Sequence, residues 1–230
     1  VILLLLPYVW PSRMVNDLVI RVSAFALFAT SLNLLVGYTG MVSFGHGMFF
    51  GFGAYAFGLS MQKLGVSIPT ALVITIVTSA CLGLVVGAIS IRLKDIYFSF
   101  ITLAFQMLLY SLIIAWVPLT GGDQGLMGGI PRPPFWGVDL SQESHRYVCA
   151  VTLLVIGLLI LRQIVESPFG YTLRMIRDNT ERASFLGINV FRAKLTAFLI
   201  AGIFGSIGGM VMALFVSGAY PEFVNWTMSG

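Results

Sequence analysis

Two stretches of this chain hold the polar groups from which any function must be built. One is the charged segment 167–187, Ser167-Pro-Phe-Gly-Tyr-Thr-Leu-Arg-Met-Ile-Arg-Asp-Asn-Thr-Glu-Arg-Ala-Ser-Phe-Leu-Gly187, set between two long apolar runs. The other is Ser43-Phe-Gly45-His46-Gly47, which carries one of only two histidines. Neither has the donors of a catalytic centre. The second histidine, His145, is far away in sequence and predicted on the other side, so metal ligation is not expected. Cys81 and Cys149 both fall in apolar runs and read as packing residues. There is no G-x-x-x-x-G-K-[S/T] phosphate loop. The chemistry these groups suit is recognition and movement. Charges on a surface helix can pair across a wet interface, and a polar group at membrane depth either lines a path or links helices.

The elements that position them follow from composition. Of 230 residues, 58% are hydrophobic and 10% charged, and mean hydropathy is +0.95. A soluble domain carries about 25% charged residues. The class is therefore a polytopic, all-α transmembrane bundle, since the apolar runs are continuous rather than alternating. Full spans are expected at 17–37, 44–61, 68–93, 96–117, 147–165 and 195–217, with 1–10 as the tail of another ended by Pro11. The chain begins without methionine inside an apolar run and ends in a polar one. It reads as a single transmembrane domain over 1–230, truncated at both ends, and 1–10 is not a signal peptide.

Six of the thirteen basic residues (Arg162, Arg174, Arg177, Arg182, Arg192, Lys194) lie in or beside the charged loop. That bias puts the loop in the cytoplasm and does not indicate a nucleic-acid partner. The connection 118–146 and the segment 218–230 then fall outside. Small residues at helix spacing (Gly47 and Gly51, Ala54 and Gly58, Gly83 and Gly87, and the run Ala201, Gly205, Gly209, Ala213) predict close backbone packing in the bilayer.

Within the loop, Ser167-Pro168 is a helix start. Phe169, Leu173 and Ile176 share one face, and Arg174, Arg177 and Asp178 another. Asp178 and Glu181 have capping-box spacing, which predicts a second short helix through Arg182 and Ala183 to Leu186, stopped at Gly187. Gly170 lies in the first turn. Across the membrane, Thr120-Gly121-Gly122-Asp123 is a turn start that shapes the outer mouth, or receives a protein from outside, or is simply a tight turn capped by Asp123. Pro131-Arg-Pro-Pro134 with Phe135-Trp136 is expected at the outer interface. Glycines 37–40 and 45–47 permit irregular backbone, tolerated where it is buried or lines a cavity. Tyr38, Ser43, Gly45, His46 and Gly47 are accordingly the candidate path residues. His46 also has the alternative of a helix-linking hydrogen bond.

Glu181-Arg-Ala-Ser-Phe-Leu-Gly187-Ile-Asn resembles the "EAA" signature of ABC importer permeases, and Phe169–Asp178 resembles the segment before it. Residues 31–55, from Ser31-Leu-Asn to Gly-Ala-Tyr55, are similar to the N-terminal half of permeases for branched-chain amino acids (the LivM type). So are Ile96-Tyr-Phe-Ser-Phe-Ile-Thr-Leu-Ala-Phe105 and Leu119-Thr-Gly-Gly-Asp-Gln-Gly125. The three stretches occur in the family's order and cover much of the chain. Ser184 departs from a second alanine in the signature.

The resemblance implies a non-catalytic permease subunit in the bacterial inner membrane, importing leucine, isoleucine and valine by alternating access. It implies a second homologous permease, a periplasmic substrate-binding protein and two cytoplasmic ATP-binding subunits. ATP and Mg would sit on those subunits, with no cofactor on this chain. The loop 167–187 would be the coupling loop. Related permeases for urea, short amides or other amino acids share the motifs. An ion-coupled secondary transporter would need charges within the spans. Here they hold almost none, with Arg21 toward an outer end.

Overall fold

In lipid, a continuous apolar run satisfies its own backbone only as a helix. The computed structural model describes residues 13–93, 95–126, 129–131 and 142–225. The expected tail at 1–10, the belt at 132–136 and part of the 118–146 connection lie outside these residues. In order come α1 (Arg13–Asn33), a π-helical turn π1 (Leu34–Thr39), α2 (Gly47–Lys63), α3 (Ile68–Ser90), α4 (Asp95–Ala115), α5 (Val117–Thr120) and a 3-10 turn (Gly122–Gln124). Then follow α6 (Glu143–Glu166), α7 (Pro168–Asp178), α8 (Thr180–Phe185), α9 (Val190–Val216) and a second 3-10 turn (Pro221–Val224). There is no strand among the described residues.

Five helices are long and apolar enough to cross a membrane: α1 continued by π1, then α3, α4, α6 and α9. The sixth expected span, α2, has 17 residues. Ends differ from expectation for local reasons. Pro118 has no N–H to give to Ile114, so α4 stops at Ala115 and α5 restarts after Trp116. The polar first turns of α6 and α9 escape a hydropathy window. Glu143 opens α6, accepting from Asn16 Nδ2 at 3.0 Å with Arg13 at 3.7 Å. Asn189 opens α9, its Oδ1 accepting the Arg192 N–H at 3.0 Å.

The helix α9 is central, with its buried side chains packed against α2, α1 and α3. Small residues set the approach. A Cβ on Gly209 would collide with the carbonyl oxygen of Phe50, and one on Gly53 with the backbone of Ser206. The Ser206 hydroxyl donates to the Phe49 carbonyl at 2.9 Å across the same contact. In α3 the pattern of a soluble protein is inverted. Thr75, Ser79, Gly83 and Ser90 are buried, while Val73, Val77 and Val85 face outward. Without a hydrophobic drive between helices in lipid, close van der Waals packing decides which face turns inward.

The described part of the expected outer segment 218–230 is not a free tail. After α9 the chain turns back into the bundle, burying Pro221, Phe223 and Val224. Leu126 and Ile130 donate backbone bonds to Ala219 (2.9 Å) and Ser217 (3.0 Å). The Gln106 amide, fully buried on α4, donates to the Val224 carbonyl at 2.7 Å. A buried amide needs a partner, and this re-entrant turn supplies it.

Candidate functional site

The charged loop is two helices meeting at a bend. Ser167 caps α7, its hydroxyl accepting from the Gly170 N–H at 3.5 Å, and Pro168 takes the first turn. Gly170, Leu173 and Ile176 are buried and Phe169 is half-buried. Leu173 belongs to the same apolar cluster as Phe98 and Phe198, so the loop is anchored in the bundle core. The bend differs from expectation. Asn179, in extended backbone (φ −159°, ψ 104°), is the cap of α8, and its Oδ1 accepts the Arg182 N–H at 2.8 Å. Asp178 is instead the last residue of α7, its carboxylate held by Arg177 at 3.2 Å. The one-residue shift places Glu181 second in α8, out of capping-box register. Gly187 stops the helix with φ +82°, as expected. Ala183 is buried, whereas Glu181, Arg182 and Ser184 are exposed.

Two consequences were not visible in the pattern. Phe185 and Leu186 are 89% and 64% exposed, forming an apolar tip on a polar loop. Arg174 and Arg177, expected to reach for a partner, are committed within the chain. Arg177 Nη1 donates to the Gly37 carbonyl at 2.6 Å. Arg174 Nη2 donates to the Val165 carbonyl at 3.0 Å, with its guanidinium over the rings of Tyr171 (4.9 Å) and Tyr38 (5.4 Å). Both acceptors are carbonyls in the last turn of a helix, which lack intrahelical donors and sit at the negative end of the dipole. The two arginines, three apart on α7, thus close the ends of π1 and of α6.

Beyond π1 the chain leaves the helix at Gly40 (φ +72°), a left-handed conformation suited to glycine. Residues 40–46 then run without a helix, with Met41, Ser43, Gly45 and His46 buried and Gly40, Val42 and Phe44 exposed. The Ser99 hydroxyl donates to Val42 O at 2.5 Å, and a Cβ on Gly45 would collide with the backbone of Thr102. Ser43, Gly45, His46 and Gly47 are all buried. Of the candidate path residues Tyr38 lines an open cleft of about 240 Å³, with Thr30, Asn33, Leu158, Arg162 and Glu166.

His46 is fully buried opposite Gly205, near the middle of α9. Its Nε2 lies 2.9 Å from Ser31 Oγ, and Ser31 gives its own proton to Phe28 O at 2.7 Å. The bond therefore requires His46 to carry its proton on Nε2. Nδ1 is then an acceptor, and it is buried without a hydrogen-bond partner, as is Ser43 Oγ. The rings of Phe28 and Phe49 stand 5.2 and 5.7 Å away. His46→Ala is expected to leave a cavity and take from Ser31 Oγ the bond it accepts, costing about 2–4 kcal/mol. A thermal-unfolding midpoint within 1 °C or so of wild type would refute this.

At the opposite end, Gly121 and Gly122 both have positive φ (+79° and +61°). The turn is capped by Thr120, which donates to Ile113 O (2.5 Å) and accepts from the Gly122 N–H (3.2 Å). Asp123, the expected cap, is exposed.

Comparison with known proteins agrees with this architecture. No solved structure matches the chain significantly. The high-affinity branched-chain amino acid transport system permease protein LivM of Escherichia coli (strain K12) is 27% identical over 255 residues, covering 100% of this chain and 60% of that protein. A tyrosine transport system permease protein of Clostridioides difficile is 25% identical, covering 71% of this chain and 54% of that protein. The guanosine transporter permease protein NupQ of Bacillus subtilis is 29% identical over 98 residues, 43% of this chain and 29% of that protein. The chain thus spans about three-fifths of the length of LivM from Escherichia coli. The family model described as branched-chain amino acid transport system / permease component matches residues 14–229, nearly everything from α1 to the end, and the chain belongs to that family of multi-pass membrane permeases.

Proposed function

We propose that the chain is the membrane-spanning, non-catalytic permease subunit of an ATP-driven importer for branched-chain amino acids in a bacterial inner membrane. It works beside a second homologous permease and receives substrate from a periplasmic binding protein. Two cytoplasmic ATP-binding subunits, which hold ATP and Mg, dock on the loop 167–187. The observation that carries the reading is the joint one: a family match over residues 14–229 and, inside it, a core-anchored two-helix loop with an exposed apolar tip. An exposed Phe185 flanked by Glu181 and Arg182 has the make-up of an interface anchor with a polar rim.

Tyr38, Ser43, Gly45, His46 and Gly47 are proposed to border the solute path. In the packed state Ser43 Oγ and His46 Nδ1 lack hydrogen-bond partners. Buried polar atoms left unpaired are costly, and a conformation that opens residues 40–46 to water or solute would satisfy them. The turn at Gly121, Gly122 and Asp123 is proposed to face the binding protein.

The test is radiolabelled leucine uptake into proteoliposomes holding the full-length parent, its partner subunits and binding protein, with and without internal ATP. Uptake that needs ATP and is competed by isoleucine and valine is expected. Uptake driven by an ion gradient without ATP would overturn the reading. A second reading, a different solute, is favoured by the similarity to permeases named for tyrosine and guanosine. Uptake of tyrosine, guanosine or urea with leucine ignored would establish it.

A further inference from the structure

The two arginines on α7 connect elements far apart in sequence. Arg177 reaches across 140 residues to the Gly37 carbonyl. Its aliphatic stem packs on Gly40, where an added Cβ would stand 3.0 Å from Arg177 Cγ. Arg174 bridges the end of α6 and the ring of Tyr38. The elements they grip are unusual. A π-helical turn inside a longer helix is rare and often marks a functional site, and the next seven residues belong to no helix. Behind them sits the His46–Ser31 bond. Any displacement of α7 must pull on the Gly37 carbonyl or break a charge-assisted hydrogen bond.

We propose that Arg177, with Arg174, is a positioning device that transmits movement of the 167–187 loop to the irregular segment 40–46 through the Gly37 carbonyl. It does not take part in docking the ATP-binding subunit. The proposal rests on the coupling reading above and assigns its internal route. Docking falls to the tip, Glu181, Arg182, Phe185 and Leu186. Transmission falls to the base, because among the described residues it is there that side chains of the loop hold the backbone of another element. Rigid contact is needed at both ends of such a lever. Leu173 and Ile176 supply it on one face of α7, and Arg174 and Arg177 on the flank beside them.

The deciding experiment uses the reconstituted full complex with Arg177→Met, which keeps the stem on Gly40 and removes the donors. ATP hydrolysis and leucine uptake are measured in the same vesicles, and ATP-binding subunits retained on purification are counted. Retention is expected at the wild-type ratio, with hydrolysis within about twofold and uptake per ATP reduced about tenfold. Arg177→Lys, which restores one donor toward Gly37, should recover part of the loss. Unchanged uptake per ATP in Arg177→Met would overturn the proposal. So would loss of the ATP-binding subunits from that variant, which would make Arg177 a docking residue. A wild-type chain that retains no ATP-binding subunit would instead sink the coupling reading itself. General destabilisation lowers both rates together and leaves their ratio in place, so a lower yield with an unchanged ratio also counts against the proposal.

Discussion

Truncating Phe185 to alanine is expected to strip the ATP-binding subunits from the purified complex and to cut ATP-driven uptake in proportion. The side chain is 89% exposed in this chain alone, so its removal takes nothing from the fold. Surface substitutions of that kind usually stay within about 0.5 kcal/mol of wild-type stability. In a partner's groove the same ring would be an anchor, and losing an aromatic anchor costs about 2 kcal/mol or more, roughly 30-fold in Kd. Binding of the isolated ATP-binding subunit to nanodisc-held permease gives the number directly. The competing role for such a tip is insertion among lipid headgroups. Under that role, Phe185→Ala would leave subunit binding unchanged. The contrast with Arg177→Met is the informative one: the tip variant should lose the partner, whereas the base variant should keep it and lose the coupling.

The second large effect is expected at Gly209. Its Cα faces the carbonyl oxygen of Phe50, with no room for a methyl group. Valine there must push α9 off α2. That would take with it the Ser206 bond to the Phe49 carbonyl and the fit of Gly205 on His46. Overpacking a close-packed core costs about 1–3 kcal/mol and more where the blocking atom is backbone. Gly209→Val is expected to fail to accumulate as a monodisperse species in detergent, or to unfold about 10 °C or more below wild type. The control is Gly83→Ala on α3, whose Cβ would meet the Leu199 Cδ2 methyl at 3.0 Å and the Phe49 ring only at 3.5 Å. A Gly209→Val protein as stable as that control would show that the α2–α9 contact is not the clamp described here.

Much of this protein was legible one residue at a time. The spans follow from continuous apolar runs, because lipid offers an unpaired backbone no partner and helix is the local solution. The loop's helices follow from Ser167-Pro168, from the face formed by Leu173 and Ile176, and from Gly187. Each is a signal carried within a few residues. The family too could be recognised from three stretches in order.

Other features depended on contacts between distant residues, and no local pattern encodes those. The bend is capped by Asn179 and not Asp178 because the backbone turns one residue later than the spacing suggests, and both residue types can cap. The inward face of α3 is its hydroxyl and glycine face, since packing between helices in lipid rewards small size, not hydrophobicity. The return of 217–224 answers a buried amide at Gln106 that looks, in sequence, like any polar residue in a span. The sequence alone determined that positive charges gather on this loop, because side-chain type and the membrane's charge bias are local facts. Only the tertiary structure decided that Arg174 and Arg177 turn back onto the ends of two helices of their own chain. The carbonyls of Val165 and Gly37 need donors, and which arginine stands beside which helix end is settled only once the helices are packed.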